Sequence, residues 1–346
     1  MKIGVRAPNW IGDCIMFLPA LRALKDNSPN ERISLVCRQY LSDLFQSIEE
    51  IDEIVTIPDR SGFHGLFKTA AKLKKHQIEK GILFTNSFHS ALLFRLAGIT
   101  KLTGYNKDCR GFLLNKKLKY PGDENKSHHE FFYRDIVETF TGKKIKGNFS
   151  DKLVISGSEK KEIAALLATR FGVDLSKTII GISPSAAFGS AKQWPPERFA
   201  ELLQRIAGAN HECEMLLFGS GKEREKTAKI IDQAGRGKIY NLAGALTLRE
   251  AVTAISLCNL FISNDSGLMH VASSLRIPLI ALFGPTQPHK TSPLSPEAAV
   301  LHYPVECAPC KHRDCPLDHR CMKAITVDEV YQEVKNKIQI QQDAND

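Results

Sequence analysis

The sequence predicts an α/β protein of two domains, each a parallel sheet covered by helices. Three observations carry this reading. Short apolar runs alternate with amphipathic helical patterns through both halves of the chain. A polar stretch rich in Lys and Gly, residues 141–160, interrupts the alternation. Polar loops follow several of the buried runs, at the strand ends where open α/β sheets hold their ligands. With 346 residues and 43% hydrophobic content, the chain has enough apolar material for two cores.

In the first half, strand signals fall at 2–7, 33–37, 53–57, 80–85 and about 101–104. Helical patterns fall between and after them at 11–26, 40–49, 65–76, 88–97 and 128–140. An amphipathic segment at 159–171 opens the second series, whose strand signals include 178–182, 215–218, 259–263 and 277–283. Residues 326–341 read as a final helix. The expected organisation is a first domain over 1–155, a second over 156–325, and a closing segment, 326–346, that packs back on the first.

Charge and cysteine content narrow the function. The formal net charge of +9 favours acidic partners: nucleotide phosphates, phosphorylated glycans, an anionic membrane face or nucleic acid. Lys101, Lys107, Arg110, Lys116, Lys117 and Lys119 gather positive charge in the first half, followed by Lys126, His128 and His129. No helix-turn-helix, aromatic RNP strand or zinc-finger helix accompanies them, so nucleic acid is not the expected partner. No apolar run reaches the roughly 18 residues a membrane helix requires, and the first residues read as strand and loop rather than a signal peptide. The expected location is the cytoplasm. Nine cysteines, an odd count in a long chain, do not suggest an oxidised framework.

The most informative segment is Asn264-Asp265-Ser266-Gly267-Leu268-Met269-His270, set between two apolar runs. It places a carboxylate, a hydroxyl and exposed amides at the carboxyl end of a buried strand. An isolated Asp-Ser would be read as a helix cap, but two further loops accompany it. The first, following 178–182, runs from Ser183 through Ser185 and Gly189 to Lys192-Gln193-Trp194-Pro195. Its small residues let amides approach an anion, and Lys192 adds an ammonium, a combination suited to a diphosphate. The second is Gly219-Ser220-Gly221-Lys222-Glu223, where Glu223 is placed to accept hydrogen bonds from a ribose or to serve as an ordinary first-turn acid.

In the first half, Pro8-Asn9-Trp10-Ile11-Gly12-Asp13 leads into a helix. Gly12 allows a close approach to Asp13, an ionised carboxylate that is either an N-cap or a proton acceptor.

These motifs, with Phe283-Gly284-Pro285-Thr286, resemble the bacterial ADP-heptose:lipopolysaccharide heptosyltransferases, and Pro-Asn-Trp before Gly-Asp is more similar to type II than to type I. The resemblance spans nearly the whole chain. It implies a GT-B fold, two Rossmann-like doubly wound domains facing across a cleft. It also implies an inverting transfer of heptose from ADP-heptose to the first heptose of the lipopolysaccharide inner core, a lipid A-Kdo-heptose acceptor, with no cofactor required.

By position, the resemblance makes Asp13 the general base and Lys192 the partner of the departing diphosphate. It places Ser185 and Glu223 with the nucleotide, Asp265 on heptose hydroxyls, the Ser266-Gly267 amides on phosphates, and His270 either against the diphosphate or packed in its helix. Asn9, Asn86, Ser87 and Arg110 resemble segments lining the acceptor side. The basic face suits peripheral contact with the cytoplasmic face of the inner membrane.

Cys307-x2-Cys310-x4-Cys315-x5-Cys321, with His302, His312 and His319 nearby, leaves a structural zinc open as an alternative. The spacing differs from a paired zinc ribbon, and the resemblance implies a structural segment without a required metal. Competing enzymes lack their motifs. Gly219-Ser220-Gly221 is followed by Lys222-Glu223-Arg224, with Arg where a dinucleotide fold wants its third glycine, and Ser266 follows Asn264-Asp265 rather than the Gly-x of a hydrolase elbow.

Overall fold

The computed structural model describes residues 1–59, 62–122, 127–147, 149–209, 213–235, 237–310 and 312–343; Lys126 lies outside them. The chain divides into two compact units, Met1–Lys152 and Leu153–Asp346.

The first unit runs β1 (Lys2–Arg6), α1 (Ile11–Asn27), β2 (Arg32–Arg38), β3 (Glu53–Ile57), α2 (Phe63–Lys74), β4 (Lys80–Leu83), α3 (Phe88–Leu96), β5 (Lys101–Asn106), β6 (Lys116–Lys119) and α4 (His129–Thr141). The strands form one parallel sheet in the order β3-β2-β1-β4-β5-β6. Central β1 has Val5 opposite Leu35 on one side and Ile82 on the other. Such strands are covered on both faces, which is why they read as apolar runs rather than as alternation. Helix α1 is buried on nearly every side. Its Phe17 meets Phe45, Phe84 and Tyr133 at ring-centroid distances of 6.0, 5.2 and 6.4 Å.

Two elements of this unit differ from expectation. Residues 40–49 were expected to be helical, but the segment is a short 3-10 turn, Gln39–Phe45. Leu41 and Leu44, three apart, point inward, and that spacing suits one 3-10 turn as well as an α-helix. Strand β6 was not anticipated, because Lys116-Lys117-Leu118-Lys119 carries one apolar residue. It is an edge strand, and lysines are a common guard against further pairing there.

The second unit runs α5 (Gly157–Leu166), β7 (Thr178–Ser183), α6 (Pro196–Gly208), β8 (Cys213–Leu217), α7 (Arg224–Ala234), β9 (Ile239–Asn241), α8 (Leu248–Ile255), β10 (Leu260–Asn264), α9 (Gly267–Ser274), β11 (Leu279–Phe283), α10 (Pro288–Thr291), β12 (Ala298–His302), α11 (Arg320–Lys323) and α12 (Val327–Asp343). Its parallel sheet has the order β12-β11-β10-β7-β8-β9, the same doubly wound arrangement as the first. Helix α5 starts at a reciprocal capping box between Ser156 and Glu159.

The closing helix, expected to pack back on the first unit, places its apolar stripe in the unit to which it belongs. Val327, Val330, Val334 and Ile338 recur at spacings of three and four, and all four enter the second unit's own core. That core also holds Phe199, Leu203 and Ile206 of α6. The second unit is therefore not complete without α12, which supplies part of its core. Among the described residues, no helix is long and apolar enough to cross a membrane.

Candidate active site

In the first unit the strand order reverses between β1 and β4, and doubly wound sheets open a ligand crevice at that switch. The loops following these two strands line a cavity of about 410 Å³ with Asn9, Trp10, Asp13, Asn86, Ser87 and Tyr133 in its wall. Because α1 begins at Ile11, Asp13 is its third residue, in the first turn where unpaired amides and the helix dipole favour a carboxylate. Tyr133, on α4, donates from its hydroxyl to Asp13 Oδ1 at 2.9 Å. Burial first, then the charge of Asp13, pushes the Tyr133 hydroxyl well above its ordinary pKa, so it stays a donor.

The two asparagines of this pocket are oriented from behind by arginines. Asn9 Oδ1 accepts from Arg6 Nη2 at 2.7 Å and from Arg38 Nε at 2.9 Å. Asn86 Oδ1 accepts from Arg110 Nη2 at 3.3 Å. Both therefore offer the cavity their amide nitrogens. Arg6 is buried, and burial followed by the charge of Arg38 lowers its pKa to about 10, which leaves it charged at neutral pH. Ser87 caps α3, accepting from the Ser90 amide at 3.3 Å, and keeps its proton to donate. The wall thus presents donors around the Asp13 carboxylate, with Asp108 as a further acid.

Arg110 requires a correction. It was expected to meet the acceptor, but its side chain is 0% exposed. Its guanidinium donates to the carbonyls of Tyr105 at 2.9 Å and Thr85 at 2.5 Å. Gly104 makes room for it, since a Cβ there would stand 3.1 Å from Arg110 Nη2. Its place is beneath the loop bearing Asn86 and Ser87, and basic charge near an anion-binding motif could not reveal that it points inward.

In the second unit the order reverses between β7 and β10. Lys192 follows β7, Asp265 follows β10, and Lys192 Nζ lies 2.6 Å from Asp265 Oδ2. The same oxygen accepts from Thr286 Oγ1, past the end of β11, at 2.7 Å. The Lys192 and Asp265 side chains are 16% and 6% exposed, so the pair is largely shielded from water while the ammonium remains accessible. The Trp194 amide donates to Asn264 Oδ1 at 2.9 Å and its indole donates to the Ile325 carbonyl at 3.0 Å, which anchors the Lys192 loop to the core. Asn264 and Trp194 are supporting residues to which the sequence reading gave no role.

Ser185 is buried, and among the described residues its hydroxyl has no hydrogen-bond partner, as is the case for Asn264 Nδ2. Ser266 is the N-cap residue of α9, and its hydroxyl is 3.0 Å from that of Ser263. Gly267 begins the helix, so its early amides are available to an anion. His270 is buried within α9. Glu223 is engaged locally: Oε2 accepts from the Ser220 amide at 2.6 Å and hydroxyl at 2.8 Å in a capping box, leaving Oε1 for any ligand.

Cys307, Cys310 and Cys315 are half-buried and Cys321 is buried. Burial, then the neighbouring thiols of Cys307, Cys315 and Cys310, raises the Cys321 thiol pKa. Among the described residues, no group of three or more His, Cys, Asp or Glu side chains is arranged to hold a metal ion.

Residues 66–320 match the family model of glycosyltransferase family 9 (heptosyltransferase). The chain belongs to glycosyltransferase family 9. Among the curated relatives of this family 9 member is the lipopolysaccharide heptosyltransferase 2 of Salmonella typhimurium, 31% identical over 318 residues, 87% of this chain and 88% of the relative. The lipooligosaccharide heptosyltransferase 2 of Campylobacter jejuni is 30% identical over 345 residues, 97% and 98% of the two chains. The solved structure of Escherichia coli ADP-heptose lps heptosyltransferase II superimposes with a TM-score of 0.84 at 27% identity, covering 99% of this chain and 100% of that one. The fold of this family 9 glycosyltransferase is GT-B.

The family match begins at residue 66, so it includes the Lys192 and Asp265 loops and excludes Asp13. The geometry brings Asn9, Asp13, Asn86 and Ser87 to one pocket and joins Lys192 to Asp265. Tyr133 and Thr286 complete the two clusters. Thr286 belongs to the Phe283-Gly284-Pro285-Thr286 motif, which does not by itself point to a contact with Asp265, and Tyr133 carries no signal beyond its place in a helical segment.

Proposed function

We propose that this family 9 enzyme transfers L-glycero-D-manno-heptose from ADP-heptose to the first heptose of the lipopolysaccharide inner core, with inversion at the anomeric carbon. The observation that carries the reading is the Lys192-Asp265-Thr286 cluster at the switch of the second sheet. It is supported by similarity to type 2 heptosyltransferases over at least 87% of the chain.

In this reading the acceptor hydroxyl binds in the Asn9/Asn86/Ser87 pocket and gives its proton to Asp13 as its oxygen attacks the anomeric carbon. The bond from that carbon to the diphosphate oxygen breaks, and ADP leaves with the electron pair. Positive charge accumulates on the sugar ring in the oxocarbenium-like state, while negative charge accumulates on the diphosphate. Lys192 and the Ser266-Gly267 amides face the latter. Asp265 takes heptose hydroxyls, Ser185 and Glu223 Oε1 take the nucleotide, and the scheme requires no cofactor.

Acceptor delivery is proposed to involve peripheral contact with the inner membrane's cytoplasmic face. Phe112 is 75% exposed and meets exposed Phe88 at 6.1 Å between ring centroids, with exposed Lys107, Lys117 and Lys119 in the same unit. High salt should release the protein from anionic vesicles if charge contributes to that contact.

The test of transfer is ADP release from ADP-heptose with heptosyl-Kdo2-lipid A, with product mass as the check. Acceptor-dependent ADP and a gain of one heptose, both lost in Asp13→Ala, are expected. Activity only on Kdo2-lipid A would reassign the acceptor to type I, and ADP-heptose binding without turnover on either acceptor would make the chain a binding module.

A further inference from the structure

The Lys192 loop is held from outside by a segment to which the mechanism above gives no role. Arg313 Nε donates to the Phe188 carbonyl at 2.9 Å, and the Ala191 amide donates to the Arg313 carbonyl at 2.9 Å. Ser190 Oγ donates to Asp314 Oδ1 at 2.8 Å. Every residue from Phe188 to Ala191 touches this segment, because Gly189 packs against the Arg313 backbone. A Cβ at Gly189 would stand 2.1 Å from the Arg313 carbonyl oxygen, a distance neither backbone tolerates.

The Phe188 ring links the two cations. Arg313 lies 5.8 Å from its centroid and Lys192 Nζ lies 5.3 Å from it. A little earlier in the same segment, the Cys310 amide donates to the Pro285 carbonyl at 2.9 Å, one residue before Thr286. The segment therefore ties the loop before Lys192 to the turn carrying the second partner of Asp265. Arg313 and Asp314 are themselves exposed, so their contacts contribute little to the apolar core.

We propose that Arg313 and Asp314 are positioning residues that hold the Phe188–Ala191 backbone, and through it Lys192, in the geometry that receives the nucleotide-sugar diphosphate. The inference rests on the reading of the Lys192 cluster as the donor site. Preorganising a loop saves the ordering cost that binding would otherwise meet, so losing the hold should weaken donor binding while sparing acceptor binding.

The experiment is calorimetric titration of ADP, with steady-state KM for ADP-heptose and for acceptor. It compares wild type with Lys192→Ala, Arg313→Ala, Asp314→Ala, Asp314→Asn and Gly189→Ala. Arg313→Ala and Asp314→Ala should each raise the ADP Kd and donor KM roughly three- to tenfold, the effect of one hydrogen bond. Acceptor KM and Tm should be unchanged. Asp314→Asn, whose amide oxygen still accepts from Ser190, should restore binding, whereas Gly189→Ala should weaken it.

If Lys192→Ala weakens ADP binding while Arg313→Ala and Asp314→Ala do not, the positioning role is overturned and the donor site stands. Parallel losses in donor KM, acceptor KM and Tm would overturn it in favour of a general structural role. If wild type binds no ADP, or Lys192→Ala binds it normally, the donor-site reading fails and the inference fails with it.

Discussion

Tyr133 donates a 2.9 Å hydrogen bond to the carboxylate of Asp13, joining the middle of α4 to the first turn of α1. The bond uses Oδ1 and fixes the plane of the carboxylate. It also stabilises the charged form, the state required of a base. Tyr133→Phe keeps the ring that packs against Phe17 and Phe84 and removes the hydroxyl alone. The expected result is a fall in kcat of about ten- to a hundredfold, with the acid limb of the kcat/KM profile moved to higher pH than in wild type. Hydrogen bonds to charged groups are worth about 1.5–3 kcal/mol, and about 1.4 kcal/mol corresponds to one pH unit. An unshifted acid limb would mean that Tyr133 only packs.

Arg110 supports the Asn86 side of the first unit's pocket from behind, the pocket proposed to take the acceptor. Arg110→Lys retains a cation but cannot reproduce the fork that meets the Thr85 and Tyr105 carbonyls and Asn86 together. Leaving one or two buried acceptors unpaired costs about 1–3 kcal/mol each. Acceptor KM should rise by at least tenfold with donor KM unchanged, as steady-state kinetics would show. An equal rise in both would place the residue's influence elsewhere.

Asp265 faces Lys192 with a charge that any diphosphate must share. Asp265→Asn should weaken ADP-heptose binding by roughly tenfold through lost hydrogen bonds to the sugar. It should leave ADP binding unchanged or tighter, because the ammonium no longer has a carboxylate partner. Calorimetry with the two ligands separates these effects, and equal weakening for both would remove Asp265 from the heptose subsite.

Each unit contains a carboxylate that links its stability to acid. Burial would raise the pKa of Glu53, but hydrogen bonds from Lys2, Ser34 and His76 outweigh it and hold the value at about 2. In the second unit, Arg249 is the main cause holding Glu159 at about 2. A folded pKa below the unfolded one gives stability that is present above the unfolded value, near 4.5, and lost as pH falls through the folded value. Denaturant midpoints should therefore fall between about pH 4.5 and pH 2, and the Glu53→Gln and Glu159→Gln variants should show a flatter fall.

Most of this architecture was legible because buried parallel strands are short apolar runs and because ligand loops follow the strands next to the switch. That rule singled out the loops bearing Asp13, Lys192 and Asp265 as candidates, and the structure sets Lys192 beside Asp265. Direction was not legible. Arg110 and Lys107 are both cations near the same loop, yet only Lys107 lies in the pocket wall, and no local pattern distinguishes them. Glu223 had the right residue type at a strand end, but Ser220, three residues earlier, engages one of its oxygens in a cap. Strand β6 escaped notice because an edge requires little apolar content, and the destination of α12 depended on a core assembled from distant segments.

The chain's two tryptophans fall one to each unit. Trp10 stands 54% exposed in the wall of the first pocket, while Trp194 is sealed at 0% behind the Lys192 loop. Their surroundings should separate them optically, with Trp10 emitting from water at longer wavelength and open to quenchers, and Trp194 emitting from an apolar interior beyond their reach. The protein thus carries a native reporter in each half, and the unfolding of one unit or the filling of one pocket is readable in unlabelled protein by colour alone.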